Sequence, residues 1–103
     1  MKEKVLNSKN LMEYQKDSIV SRMLVNKDSG TITLFAFDEN QKLSEHTAPF
    51  DALAHILEGK AEIIISGKNY MVKQGDMIIM PANKPHAVTA IEKFKMMLTM
   101  IKS

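Results

Sequence analysis

The sequence predicts an all-β domain, a sandwich or barrel of short strands. Turn-forming clusters recur at close intervals, at 27–30, 38–41, 47–49, 58–59, 66–69, 73–76 and 81–85. Between them lie runs rich in Ile, Val, Leu, Met and Phe, each too short for an ordinary helix but suited to a strand. Length sets the third bound. A chain of 103 residues, 45% hydrophobic and 25% charged, can bury one core of its own and forms a single domain over 1–103.

Taken in order, an N-terminal arm of about 1–17 precedes a barrel of about 18–101. In the arm, Asn10 with Glu13 three positions on has the spacing of a capping box, which predicts a short helical turn over Asn10–Tyr14. Strands are expected near 18–25, 31–37, 42–46, 50–58, 60–66, 69–73, 77–80, 86–91 and 93–101. Gly59, Gly67 and Gly75 stand between strand patterns, where a tight connection needs positive φ. Pro81 and Pro85 have no amide proton for a ladder. The chain must therefore leave the sheet after Met80 and re-enter at His86, so that this imidazole follows a rigid loop at the start of a strand.

Composition removes several classes of function. With no cysteine there is no disulfide framework, thiolate metal site or cysteine nucleophile, and any metal must be held by histidine and carboxylate. Fourteen basic against twelve acidic residues leave a formal charge of +2, and the lysines are scattered around a single Arg22, which argues against a nucleic-acid surface. No apolar run approaches a signal peptide or a membrane span, so a cytoplasmic location with no membrane partner is expected. No phosphate loop, Ser/His/Asp set or catalytic carboxylate pair can be assembled from motifs.

The segment Gly75-Asp76-Met77-Ile78-Ile79-Met80-Pro81-Ala82-Asn83-Lys84-Pro85-His86 resembles the second motif of the cupin superfamily. Gly75, Pro81 and His86 occupy its required positions. Asn83 replaces its middle glycine, which is tolerable because asparagine also visits left-handed backbone, and Ala90 stands at its final asparagine. Aligning the first motif on Gly59 puts His46 at its first histidine, Ala48 at its second and Ala52 at its glutamate.

This resemblance implies a double-stranded β-helix, or jelly-roll barrel. Members usually hold iron, manganese, nickel, zinc or copper with three histidines and a glutamate. Only His46 and His86 carry over as metal ligands, with alanine at the other two positions.

Strand alternation adds to this. Ala52 and Ala54 share an inward face with Phe50 and Ile56, so that Ala48, Ala52 and Ala54, with Met80, are expected to line a pocket beside the two histidines. The alternative is that Met77, Met80 or Phe35 fills the space. His55 falls on the opposite face with Asp51, Leu53 and Leu57, as a surface or subunit-contact residue. Asp51 and Glu45 are the carboxylates near enough in sequence to complete a ligand set. Strand 93–101 is apolar on both faces and must be covered twice, which predicts a homodimer through a sheet face.

Three functions follow as expectations. One is a barrel binding a small molecule, with a loosely held divalent metal, next to His46 and His86. Another is a metal-dependent dioxygenase or isomerase using those histidines as ligands. The last is a structural or regulatory dimer with a vestigial site.

Overall fold

A computed structural model describes residues 3–8 and 10–102. Among them are nine strands and no helix: β1 (Ile19–Lys27), β2 (Gly30–Phe37), β3 (Lys42–His46), β4 (Asp51–Glu58), β5 (Lys60–Ile65), β6 (Lys68–Lys73), β7 (Met77–Met80), β8 (His86–Ala90) and β9 (Phe94–Ile101). No helix of the described residues is therefore long and apolar enough to cross a membrane.

The strands form two antiparallel sheets. One has the order β1-β2-β9-β4-β7 and the other β3-β8-β5-β6. Neighbours in each sheet are mostly distant in sequence, as a jelly roll requires.

The period of two explains which side chains meet. In β4, Ala52, Ala54 and Ile56 are buried while the residues between them are not. The register places them opposite Met100, Leu98 and Met96 of β9. From the other sheet Ala61, Ile63, Val88 and Ala90 enter the same core. Phe37 and Phe94, both fully buried and directly paired in register, stack with ring centroids 4.5 Å apart.

The outer face of the five-stranded sheet carries a second, smaller core. Leu34 and Ala36 of β2 are buried there, with Met97 and Leu57 half-buried beside them, and the cover is the N-terminal arm of the same chain. Met12 is 6% exposed and Tyr14 packs alongside it, while Glu13 between them faces solvent.

That alternation belongs to an extended strap, and the expected helical turn over Asn10–Tyr14 does not form. A turn bond from Asn10 N to Asn7 O at 3.0 Å precedes the extended stretch. A helix would carry Met12 and Tyr14 to different sides of its axis. Burying both on a flat sheet outweighs the modest gain from an Asn cap.

The strap is fastened by Tyr14. Its hydroxyl donates to Glu58 Oε2 at 2.6 Å, and the Lys95 ammonium lies 5.0 Å from its ring centroid and 4.0 Å from Glu58 Oε1. Burial and the Glu58 carboxylate raise the phenol above its ordinary range, so it stays protonated and can donate. Lys95, 8% exposed, thus has an acceptor and an aromatic face for a charge that would be costly to bury alone.

Gly59, at the β4–β5 connection, has φ +80°, and a Cβ there would come within 1.9 Å of Lys93 O and 2.7 Å of Phe94 Cα. Gly67 has the same φ but open space around it. The two glycines separate steric from conformational cost. Gly67→Ala is expected to lower stability by about 1 kcal/mol, from backbone strain alone. Gly59→Ala should cost about 3 kcal/mol or more, because neighbouring backbone must also move. Urea unfolding of both variants gives the comparison, and equal midpoints would show that the approach to Phe94 does not limit this connection.

Candidate functional site

His46 ends β3 and His86 begins β8, and the two are directly opposed across the β3–β8 ladder. Regular pairing does not produce this. Leu43 opposes Val88, and continuing that register would put Glu45 opposite His86. A register shift between Leu43 and His46 supplies one extra residue, so that His46 takes the position instead. Leu43 and His46, three apart in sequence, consequently share the inward face. The rings meet edge to face, with centroids 4.2 Å apart and planes at 65°.

Each imidazole is tethered through Nδ1 to the carbonyl two residues upstream. His46 Nδ1 lies 2.8 Å from Ser44 O, and His86 Nδ1 lies 3.2 Å from Lys84 O. A carbonyl can only accept, so Nδ1 carries the proton in both rings and each neutral ring keeps its Nε2 lone pair free. This tether fixes tautomer and orientation in the way metal-binding histidines require.

His46 is exposed, whereas His86 is 6% exposed. Burial holds the His86 pKa below the ordinary histidine value. Donation to Lys84 O opposes that shift, and repulsion from a charged His46 adds to it.

The loop before His86 is clamped from three directions. Ala82 N donates to Asp51 Oδ1 at 2.8 Å, and Asn83 N donates to Ala48 O at 2.7 Å. Ser66 N donates to Pro85 O at 2.8 Å. Asn83 has φ +63°, the left-handed conformation anticipated for a residue in place of glycine. Asp51, a sequence candidate for completing a ligand set, thus spends one oxygen on positioning the loop, and Glu45 is solvent-exposed.

The four residues expected to line a pocket separate into two places. Ala48 is half-buried in the β3–β4 connection. Ala52, Ala54 and Met80 are 3%, 0% and 2% exposed within the main core, with Ala52 between Met80 and Met100 in register. His55 lies on the outer face, half-buried, opposite Met77 and Met97.

No group of three or more His, Cys, Asp or Glu side chains that could hold a metal occurs among the described residues. Two imidazoles would supply only two ligands to a divalent metal, and water or a bound molecule would have to supply the rest.

The profile of the Cupin domain matches residues 33–102, most of the chain. The chain is a cupin. Among solved structures, a conserved protein of unknown function from Streptococcus pyogenes, SPY1581, is 40% identical with a TM-score of 0.93, over 98% of this chain and 89% of that one. A cupin 2 conserved barrel domain protein from Leptotrichia buccalis is also 40% identical, with a TM-score of 0.89, over 91% of this chain but 46% of its own. A cupin superfamily protein from Desulfitobacterium hafniense is 28% identical, with a TM-score of 0.93, over 100% of this chain and 94% of that one. No curated protein matches.

The sequence motifs located both histidines but not the features that aim them: the extra residue in β3, the Ser44 and Lys84 carbonyls, and the Asp51 clamp. One signal was present, since an inward Leu43 and an inward His46 cannot share a face without an added residue.

A pH dependence follows from the metal-free protein. His86 binds its proton at lower pH when folded than when unfolded, so the unfolded state is protonated first as pH falls through about 6.5. Stability contributed by the neutral ring is present above that value and is lost as pH drops toward the folded pKa. His86→Gln should flatten this part of the stability profile. In His46→Ala the His86 titration followed by NMR should move up only part of the way, because burial, the larger cause, remains.

Proposed function

We propose that this cupin binds a small molecule next to His46 and His86, with a divalent transition metal held loosely by their Nε2 atoms. The observation that carries this reading is the pair of Nδ1 tethers, which leave two neutral nitrogen donors on rings 4.2 Å apart. Alanine at 48 and 52 adds no donor, so the metal keeps positions for oxygen atoms of water or of the bound molecule. Iron, manganese, nickel, zinc and copper all accept imidazole.

Binding is favoured over turnover, because neither Glu45 nor Asp51 is placed as a base beside the rings: one is solvent-exposed and the other holds Ala82. A dioxygenase or isomerase would need its substrate to complete the shell.

Titration of the metal-free protein with zinc, nickel or cobalt, followed through histidine ring resonances, tests the reading. His46 and His86 should respond together, the metal should leave on dialysis, and either His46→Ala or His86→Ala should abolish the response. Rings that ignore all three metals would sink it.

We also propose a homodimer, on a specific observation. The strap covers Leu57 and Met97, which removes part of the reason for a second cover. It leaves Met77 and Ile79 of β7 62% and 61% exposed, with half-buried Leu53 opposite Ile79 in register. Light scattering during size exclusion should give twice the chain mass at micromolar concentration, and Ile79→Asp should give the monomer. A wild-type monomer refutes the dimer.

A further inference from the structure

A groove of about 410 Å³ lies on the outer face of the five-stranded sheet, away from the histidine pair. Its apolar lining is Leu6 of the arm with Leu24, Val25, Ile32 and Met97 of the sheet. Its size falls in the range of small-molecule sites. Leu24 and Val25 are consecutive and would normally point to opposite faces of a strand. Both line the groove because the β1–β2 register shifts between Met23 and Val25, which inserts an extra residue at Leu24. Val25 is 38% and Leu6 40% exposed, so this apolar trough remains accessible in the single chain.

The polar groups sit at one end. Asn26 and Lys27 also line the groove and lead into the β1–β2 turn. The Lys27 side chain is exposed and makes no ion pair among the described residues. Lys102 reaches the same turn, where its N donates to Ser29 O at 2.8 Å. The Lys102 ammonium lies over the Phe50 ring, 5.9 Å from its centroid, which leaves Lys27 as the cation that lines the groove. A smaller cavity of about 200 Å³ shares Val25, Lys27 and Ile32 with the groove, so Lys27 stands between two apolar hollows.

We propose that this groove is a second ligand site, for an amphiphilic carboxylate whose aliphatic chain lies along Leu24, Val25, Ile32 and Met97 and whose headgroup meets Lys27. An aliphatic trough selects for chain length, because transfer of apolar area from water is roughly proportional to the area covered. A free cation at one end selects the charged headgroup and sets the chain's direction. The site does not depend on the histidine pair, so the two proposals can fail separately.

The test is calorimetric titration with hexanoate, octanoate, decanoate and decanol below micelle formation, in wild type, Lys27→Glu, Val25→Asp and His46→Ala. One site per chain is expected, with affinity rising up to about fourfold for each methylene added. Decanoate should bind more tightly than decanol in wild type. Lys27→Glu should remove that preference, Val25→Asp should weaken both ligands, and His46→Ala should change neither. Val25 and Lys27 are exposed enough for both variants to fold, and circular dichroism checks that they do. Absence of saturation, or affinities unaffected by Lys27→Glu and Val25→Asp, overturns the proposal. So does conversion of a wild-type dimer to monomer by Val25→Asp, since the groove would then be covered by a second copy.

Discussion

The barrel depends on burying β4 and β9 from both sides. They are adjacent in the five-stranded sheet, and each turns an apolar row into the main core and a mixed row outward. The outward rows are Leu53, His55 and Leu57 in β4 and Lys95, Met97 and Thr99 in β9, so that β9 is not apolar on both faces as its sequence suggests. A strand of this kind gains twice from the hydrophobic effect but imposes a demand, because each face needs a cover. The opposite sheet covers the inner row. For Leu57 and Met97 the cover is the strap, whose extended course follows from the need to present Met12 and Tyr14 to the same flat surface. The Tyr14–Glu58–Lys95 cluster then closes the edge of that contact with groups whose charges are matched before they are buried.

The same two strands connect the core to the site. At one end of β4, Gly59 lets the chain pass against Phe94, whose ring stacks on Phe37 at the centre of the barrel. At the other end, Asp51 receives the amide of Ala82 and fixes the loop that delivers His86. His46 arrives from the opposite sheet's edge through the extra residue in β3. The histidine pair is held by backbone register on one side and by a clamped, proline-bounded loop on the other. Neither ring relies on the other for its orientation, since each has its own carbonyl tether.

Much of this was legible in the sequence, and the parts that were not share a cause. Turn residues and short apolar runs gave the strands, because both are local signals, and Gly59, Gly67 and Gly75 have the positive φ that their positions required. The motif around Pro81 and His86 is local too, and Asn83 adopts the backbone expected of it. The helical turn expected of the arm does not form because a capping pattern is local evidence, while the surface that holds Met12 and Tyr14 flat is assembled from strands far apart in sequence. The register shift that sets His46 against His86 depends on how β3 meets β8, forty residues on, and the odd spacing of Leu43 and His46 within β3 hints at an added residue without fixing its place.

Replacing two ligand positions with alanine also changes the electrostatics of the candidate site. Two tethered imidazoles are neutral donors, so a divalent cation between them would keep its full charge, with no carboxylate from the protein to balance it. Burial works in the same direction at His86, where it disfavours a proton and by the same reasoning a lone cation. On the proposed reading, an anionic ligand supplies both what the alanines removed and the missing negative charge, so that metal and ligand stabilise each other. Affinity for either alone is then low by construction, and the pair binds more tightly than the product of its parts.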